Sequence, residues 1–145
     1  MLVLLDRDGV INKDLPQGVL LPEQFEMFPF VPSALSMLKQ AGFKLAIVTN
    51  QSAIGTGLLT EQTLEYIHSQ LQDKLLASGA LIDRFYFCPD RPDKPTHRRK
   101  PNPGMAFQAK NDFPDVDFSK SVMVGNSMSD MEFGRNAGMK TVYIS

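Results

Sequence analysis

The sequence predicts an α/β protein built on a doubly wound, mainly parallel sheet, and two observations carry this prediction. Short apolar runs of four or five residues, typical of strands buried on both faces, alternate along the chain with segments of helical periodicity. Glycine follows three of the helical segments closely, at Gly42, Gly79 and Gly138, as it commonly does at helix ends. The alternation implies βαβ crossovers with helices on both faces of the sheet.

Five strands and four helices are predicted in alternation. The apolar runs place the strands at residues 2–5, 44–48, 84–87, 121–124 and 141–144. The helical patterns cover residues 32–40, 61–77, 103–111 and 129–136. Thr60 is positioned to cap the second helix, and the proline-rich, basic stretch at 89–103 is predicted to be a surface loop.

Length and composition restrict the class of protein. A chain of 145 residues has the size of one domain, so residues 1–145 are predicted to form a single domain. A net charge of −1 argues against nucleic acid as a partner, and no apolar stretch approaches the ~20 residues that span a bilayer. Cys88 is the single cysteine and the start of the chain lacks a signal-peptide pattern, so a reducing cytoplasm is the predicted location.

Two aspartates, Asp6 and Asp8, come directly after the first predicted strand. Ligands of open parallel sheets bind just beyond the carboxyl ends of the strands, where these carboxylates are expected to lie. Crowded carboxylates favour a neutralising cation, and hard oxygen ligands suit Mg²⁺. On this segment alone, an Asp-Gly turn chosen for its backbone geometry is an equally good explanation.

Two further segments offer groups that bind phosphate. The second strand runs into Thr49 and Asn50, which can bind a phosphoryl oxygen through side chains and backbone N–H groups. Lys100 immediately precedes a predicted helix start and can place a positive charge at the same edge of the sheet. Arg99 and the rest of the basic loop can meet a second anionic group of the substrate. A polar strand exit and a solvated basic loop are the ordinary alternatives.

The fourth strand is followed by Asn126 and Asp130, which add an amide and a carboxylate. A glycine turn with a helix cap explains them equally well in isolation. Together, however, the strand ends supply the parts of phosphoryl transfer through an aspartyl-phosphate. Asp6 is the candidate nucleophile and Asp8 the candidate general acid and base. Mg²⁺ is expected on Asp6 and Asp8, with further ligands from Asn126 or Asp130.

These blocks resemble, in order and spacing, those of the haloacid dehalogenase superfamily of phosphohydrolases. They read DRDG at 6–9, TNQ at 49–51, KP at 100–101 and GN at 125–126, followed by Asp130. The wording DRDGVIN, TNQS and RKPNPGM is closest to the branch that contains D-glycero-D-manno-heptose 1,7-bisphosphate phosphatase and histidinol-phosphate phosphatase. The resemblance implies a Rossmann-like sheet of order 5-4-1-2-3, with the first strand in the centre.

The same resemblance implies roles for individual residues. It makes Asp6 the nucleophile and Asp8 the acid/base, and it assigns Thr49 and Lys100 to the phosphate. The Mg²⁺ site then consists of the first aspartates and the fourth block. The chain departs from the branch at Asn126, where an aspartate is usual and a negative charge is therefore missing.

Two other departures concern zinc and the substrate. The branch carries a cysteine-rich zinc loop, of which only Cys88 remains here, with Asp90 and His97 as poor replacements, so zinc is not expected. Thr56 stands where the branch usually has arginine, which leaves the choice of substrate open. No segment is long enough for an inserted cap domain, so neighbouring loops, a partner or a second copy of the chain would have to cover the site.

The predicted function is Mg²⁺-dependent hydrolysis of a small phosphorylated metabolite, with a sugar bisphosphate such as D-glycero-D-manno-heptose 1,7-bisphosphate as the leading substrate. Histidinol phosphate is an alternative substrate. A catalytically weakened phosphate-binding or partner subunit is a second alternative, motivated by Asn126. A receiver-like signalling module is a third, but such modules carry the acceptor aspartate after the third strand, where this chain has Cys88 and Pro89.

Overall fold

The computed structural model describes residues 1–145, and its centre is a five-stranded parallel sheet. The strands are β1 (Leu2–Leu5), β2 (Lys44–Asn50), β3 (Arg84–Cys88), β4 (Val122–Gly125) and β5 (Lys140–Tyr143). Their order across the sheet is β3-β2-β1-β4-β5, and every neighbouring pair is parallel. This is the predicted order 5-4-1-2-3 read from the opposite edge, with β1 in the centre as predicted.

Helices cover both faces of the sheet, which confirms the doubly wound class. They are α1 (Val31–Gln40), α2 (Ser52–Gly55), α3 (Glu61–Leu76), α4 (Gly104–Asp112) and α5 (Met128–Asn136). Alternate residues of β1 enter two separate cores. Val3 and Leu5 pack in a core with residues of α1 and α3, whereas Leu2 and Leu4 pack in a core with residues of α4 and α5.

The predicted elements are all present, with boundaries that differ by one or two residues. The largest difference is in β2, which continues through Thr49 and Asn50 because both still pair with β3. Thr60 caps α3, since its Oγ1 accepts a hydrogen bond of 3.1 Å from the backbone N–H of Thr63. The four-residue helix α2 was not predicted, because one turn shows no periodicity. Two 3₁₀ turns, Pro22–Gln24 and Phe118–Lys120, escaped prediction for the same reason.

The carboxyl ends of the strands lie at one edge of the sheet, so the fold brings distant segments together there. Residues 6–30 connect β1 to α1 with only a 3₁₀ turn and isolated bridges, and β2 leads through α2 and α3 to β3. None of these connections contains an inserted cap domain. None of the helices has the length and apolar character needed to cross a membrane.

Candidate active site

A polar cleft of about 380 Å³ opens at the carboxyl ends of β1 and β4, and none of its lining residues is hydrophobic. We call it the strand-end cleft. It is lined by Asp6, Asp8, Asp14, Asn50, Lys100, Asn126, Ser127, Ser129 and Asp130. Six of the eight residues that the sequence predicted for the site are in this set. The other two, Thr49 and Arg99, lie outside it.

Lys100 supplies a buried positive charge at the floor of the cleft. It is 4% exposed, and its Nζ donates hydrogen bonds to Oδ1 of Asp6 at 2.9 Å, Oδ1 of Asp130 at 2.8 Å and the carbonyl oxygen of Val48 at 2.9 Å. Burial disfavours the charged form, but the attraction of the two carboxylates outweighs it and raises the pKa of Lys100. The ammonium therefore remains charged at physiological pH.

Asp6 is held firmly by the sheet and by Lys100. Its backbone N–H donates to the carbonyl oxygen of Val124 at 3.0 Å, which continues the pairing of β1 with β4. Lys100 bonds only Oδ1, so Oδ2 has no protein donor. Burial raises the pKa of the Asp6 carboxyl, while the positive charge of Lys100 opposes that shift. One oxygen of this carboxylate is thus free for a ligand.

Asp8 is held by side chains that the sequence reading missed. Arg7 donates to Asp8 Oδ1 through Nε at 3.2 Å and Nη2 at 2.8 Å, and Asn12 Nδ2 donates to the same oxygen at 2.9 Å. Gln51 Nε2 donates to Oδ2 at 3.1 Å. All three donors are buried residues. Their only sequence signal was proximity to the predicted site residues, in the motifs DRDGVIN and TNQS.

Asn50 ties the second strand to the loop that carries Lys100. Its Oδ1 accepts from the backbone N–H of Lys100 at 3.1 Å, and its Nδ2 donates to the carbonyl oxygen of Lys100 at 3.3 Å. Thr49 is 1% exposed and lies beneath the cleft, where its Oγ1 accepts from Gln51 Nε2 at 2.9 Å. Asn50 therefore fixes the position of the lysine, and Thr49 fixes that of Gln51.

Arg99 lies in a loop that is closed by its own hydrogen bonds. Its Nη1 donates to the carbonyl oxygen of Asp90 at 2.9 Å, and Asp90 Oδ2 accepts from the backbone N–H of Thr96 at 2.6 Å. The ring of His97 stacks on Phe107 at a centroid distance of 5.6 Å. No group of three or more His, Cys, Asp or Glu side chains is arranged to hold a metal ion by those side chains alone. The same holds for the positions related to the zinc loop.

The loop after β4 approaches the first motif so closely that glycine is required. A Cβ atom on Gly9, whose φ is +90°, would lie 1.9 Å from Asn126 Nδ2. A Cβ atom on Gly125 would lie 2.2 Å from the Cβ of Asp130. Asp130 spans the same loop, because its Oδ2 accepts from the backbone N–H of Asn126 at 3.1 Å while its Oδ1 binds Lys100.

The charges of the strand-end cleft do not balance. Four carboxylates line it, from Asp6, Asp8, Asp14 and Asp130, against the single ammonium of Lys100. Asp14 was not predicted; burial and the nearby charge of Asp8 raise its pKa. Such an excess of negative charge repels a phosphate dianion unless a cation enters with it. The available donors are oxygen atoms, including the free Oδ2 of Asp6, and this is the donor set that Mg²⁺ prefers.

A second cleft of about 520 Å³ adjoins the first and shares Asp8, Asp14 and Asn50 with it. We call it the loop cleft, because residues 14–18 and 51–53 complete its lining. No lysine or arginine lines it. The part of a substrate that extends from the strand-end cleft into this space would meet neutral polar groups and the carboxylate of Asp14.

Comparison with known proteins places the chain in a family. Residues 97–145 match a family model described as HAD-hydrolase-like. The chain is 34% identical to the D-glycero-D-manno-heptose-1,7-bisphosphate 7-phosphatase of Chlorobaculum tepidum, over 98% of this chain and 77% of that protein. It belongs to the haloacid dehalogenase superfamily. Within this superfamily it is a phosphatase, like the relatives that align with nearly all of its length.

Two other members of the superfamily show the same likeness. The enzyme of the same name from Thermosynechococcus vestitus is 39% identical over 94% of this chain and 74% of its own length. The crystal structure of D,D-heptose 1,7-bisphosphate phosphatase from Bordetella bronchiseptica, complexed with magnesium and phosphate, superposes with a TM-score of 0.91. It is 34% identical and covers 97% of this chain and 78% of that one.

Proposed function

We propose that the chain is a Mg²⁺-dependent phosphomonoesterase in which Asp6 becomes transiently phosphorylated. The observation that carries this proposal is the contact of Lys100 with Oδ1 of Asp6, which leaves Oδ2 free in a cleft with an excess of negative charge. A carboxylate fixed in this way is suited to attack phosphorus through Oδ1, which Lys100 holds in place, while Oδ2 remains available to hold the cation. The related Bordetella structure, which holds magnesium and phosphate, supports the same chemistry.

Oxygen atoms from the segments that follow β1 and β4 would hold the magnesium ion. We assign Asp6 Oδ2, the backbone carbonyl of Asp8 and the side-chain amide of Asn126 as ligands, with waters completing the shell. Both oxygens of Asp130 accept hydrogen bonds from the protein, so Asp130 would reach the ion through a water. When bound, Mg²⁺ offsets the negative charge of the phosphoryl group and orients it.

The reaction then takes two displacements. In the first, Asp6 attacks phosphorus, the bond to the leaving oxygen breaks, and Asp8 gives that oxygen a proton. In the second, Asp8 takes a proton from water as the water attacks the aspartyl-phosphate, which releases phosphate and restores the Asp6 carboxylate. Lys100 offsets the charge of the transferring group, and Asn50 holds Lys100 in position.

Two residues predicted to bind substrate have less direct roles in this proposal. Thr49 is buried beneath the cleft and would support it through Gln51. Arg99 closes its own loop through Asp90, so it would bind the substrate only if that contact were exchanged for a phosphate. A partner or a second copy of the chain as a lid over the open cleft stays a prediction. The cytoplasm stays the predicted location, and the buried free thiol of Cys88 agrees with a reducing compartment.

A sugar bisphosphate such as D-glycero-D-manno-heptose 1,7-bisphosphate is the first candidate substrate. The relatives that match almost the whole chain carry this activity in their names. The open, polar clefts suit a hydroxyl-rich molecule, because hydroxyl groups can replace water at the lining side chains. In this arrangement the phosphate that is removed occupies the strand-end cleft and the sugar extends into the loop cleft.

A specific observation favours histidinol phosphate as the second candidate. The loop cleft contains the carboxylate of Asp14 and no lysine or arginine, and the arginine usual in the branch is replaced by Thr56. A second phosphate receives no positive charge from this cleft. An ammonium or imidazolium group would instead be attracted to Asp14. The loop cleft thus fits a substrate whose distal end is neutral or cationic.

A phosphate-release assay distinguishes these candidates. The wild-type chain and Asp6→Asn are incubated with Mg²⁺ and, in parallel, with the heptose bisphosphate, histidinol phosphate and simple sugar monophosphates. Fastest release from the heptose bisphosphate, absent in Asp6→Asn, supports the first candidate, and fastest release from histidinol phosphate supports the second. No release from any substrate above the Asp6→Asn control would contradict the proposed hydrolysis and leave the weakened partner subunit.

A further inference from the structure

The charged side chain buried most completely in this protein is that of Arg7. It is 0% exposed and is the largest of the fully buried side chains. An unpaired guanidinium at such depth would strongly destabilise the fold, so its position depends on the groups that surround it. The guanidinium contacts Asp8 on one side and His68 of helix α3 on the other.

The three nitrogen atoms of the guanidinium divide between two partners. Nε and Nη2 both donate to Oδ1 of Asp8, at 3.2 Å and 2.8 Å, and Nη1 lies 3.2 Å from Nε2 of His68 on α3. The carbon at the centre of the group lies 5.6 Å from the ring centroid of Phe25. Donors to two partners, together with packing on a ring, leave the guanidinium one orientation.

We propose that Arg7, itself oriented by His68, is a positioning residue that fixes the Asp8 carboxylate for proton transfer. This inference rests on the proposed function, in which Asp8 gives a proton to the leaving group and later accepts one from water. Arg7 is enclosed and does not line either cleft, so it acts through Asp8 and not on the substrate.

The two oxygens of Asp8 are treated differently, and this difference identifies the one that moves the proton. Oδ1 accepts three hydrogen bonds, two from Arg7 and one from Asn12, which use its capacity to accept. Oδ2 accepts a single bond, from Gln51 Nε2 at 3.1 Å. The side chain of Asp8 is 17% exposed, so it reaches the cleft. Oδ2 is therefore the oxygen that exchanges the proton with leaving group and water.

His68 is suited to orient Arg7 because it presents an acceptor. Arginine can only donate, so Nε2 of His68 must accept the bond and the ring carries its proton on Nδ1. The ring stacks on Phe85 with a centroid distance of 4.5 Å and an interplanar angle of 19°, which fixes its plane. Burial, together with the charge of Arg7, lowers the pKa of His68 to about 3, which agrees with a neutral ring.

Lysine cannot replace this arginine. Its single ammonium carries three donors on one atom, so it cannot hold Asp8 and reach His68 at the same time in the planar geometry seen here. Arg7→Lys keeps the charge and most of the volume while removing the orientation. The variant therefore separates positioning from charge.

The test uses the dependence of the rate on the leaving group. We compare kcat/KM of the wild type and Arg7→Lys for two substrates with Mg²⁺: 4-nitrophenyl phosphate, whose leaving group needs no proton, and the sugar phosphate that the wild type hydrolyses fastest. Since kcat/KM reports steps up to departure of the leaving group, it measures the first proton transfer. Arg7→Lys is expected to lower kcat/KM for the sugar phosphate about 10- to 100-fold more than for 4-nitrophenyl phosphate.

A pair of variants at His68 gives a second measurement that does not change Arg7. His68→Gln retains a side-chain acceptor and is expected to stay near the wild-type ratio of the two kcat/KM values. His68→Leu removes the acceptor and should shift the ratio in the same direction as Arg7→Lys. Leu71→Ala is the control, because Leu71 is a buried core residue of the same helix and belongs to neither cleft. It should lower both kcat/KM values equally.

Equal losses on both substrates in Arg7→Lys and in His68→Leu would overturn the proposal and leave Arg7 a structural residue. If Arg7→Lys does not fold, the His68 pair decides by the same criterion. Asp8→Asn distinguishes this failure from failure of the proposed function. It should show the same substrate selectivity more strongly, and if it shows none, the acid role of Asp8 is wrong, not only its positioning by Arg7.

Discussion

The strand-end cleft and the loop cleft share Asp8, Asp14 and Asn50, yet the rest of their linings are built in different ways. The first is formed by side chains that leave the strand ends, with a buried ammonium between two carboxylates. The second is completed by residues 14–18 and 51–53, most of which lie at least partly exposed in loops or in the short helix α2. We infer that the strand-end cleft holds the reacting groups and that the loop cleft determines which substrate binds.

The largest effect is expected from removing the proposed nucleophile. Asp6→Asn is nearly isosteric but cannot attack phosphorus, so turnover should fall on the order of 10⁴-fold or more. Phosphate release with Mg²⁺ measures this loss, and thermal unfolding serves as the control for the fold. Activity within tenfold of the wild type would remove Asp6 from the mechanism and with it the chemical role of the strand-end cleft.

Among the residues of the strand-end cleft, Lys100 should contribute most to the free energy of unfolding of the protein. Lys100→Met leaves the buried carboxylates of Asp6 and Asp130 without their shared partner, so the free energy of unfolding should fall by about 3–5 kcal/mol. Urea denaturation measures the change, and Asp6→Asn combined with Lys100→Met should recover part of it. An unchanged free energy of unfolding would contradict the role of Lys100 as the shared partner of two buried carboxylates.

The buried His68, which contacts Arg7, predicts that the free energy of unfolding depends on pH. The pKa of His68 is lowered to about 3 in the folded protein, against about 6.5 when unfolded, so the unfolded chain binds more protons between these values. The contribution of the neutral His68 ring to the free energy of unfolding is fully present above pH 6.5 and is lost as the pH falls toward 3. Relative to His68→Gln, the wild type should lose about 1.4 kcal/mol per pH unit between pH 6 and 4. Parallel curves for the two proteins would contradict the burial of a neutral His68.

Asn126 offers a gain of function within the strand-end cleft. Asn126→Asp adds a negative charge beside the proposed magnesium ion, so half-maximal activation should need roughly tenfold less Mg²⁺. Ser129→Asp is a matched control, because it adds the same charge at a lining position that we do not assign to the ion. Equal effects of the two variants, or no effect of Asn126→Asp, would place Asn126 outside the magnesium shell.

The smallest effect on the chemistry, and the clearest on substrate choice, is expected in the loop cleft. Asp14→Asn should change kcat/KM for 4-nitrophenyl phosphate by no more than about threefold, since the nitrophenyl group carries no net charge for the Asp14 carboxylate to attract or repel. The ratio of kcat/KM for the heptose bisphosphate to that for histidinol phosphate should rise, because a carboxylate that repels the second phosphate is removed. Gln17→Ala controls for loss of a lining side chain. An equal change on all substrates would contradict the division between the two clefts.

The sequence predicted those parts of the molecule that depend on local pattern. Apolar runs and helical periodicity located every strand and every helix longer than one turn, since both arise from burial of regular faces. The residues at the strand ends, such as Asp6 and Asn126, followed from the topology, because parallel strands deliver their carboxyl ends to one edge. The single turn α2 has no periodicity to detect.

Apart from the exposed Asp14, the site residues missed are polar side chains that the structure buries. Arg7 has a side chain that is almost always exposed, and nothing in its position between two aspartates shows that the chain encloses it. His68 lies within the helical pattern of residues 61–77, which gives no sign of a polar contact, and the structure shows it packed against Phe85 and bonded to Arg7. Contacts between residues 61 positions apart cannot be read from a pattern along one chain. Arg99 is a different case, because its charge predicts contact with the substrate and the structure shows its Nη1 bonded to the carbonyl oxygen of Asp90; its role in substrate binding stays a prediction.

The most direct measurement is chemical trapping of the intermediate. The wild-type chain is mixed with Mg²⁺ and its fastest substrate, quenched during turnover and treated with borohydride, which reduces an aspartyl-phosphate to homoserine; the peptide that contains residue 6 is then sequenced by mass spectrometry. Homoserine is expected at position 6 with substrate and Mg²⁺, and none is expected without substrate or in Asp6→Asn. Homoserine at Asp8 or Asp130 instead, or at no aspartate during confirmed turnover, would contradict the phosphorylation of Asp6.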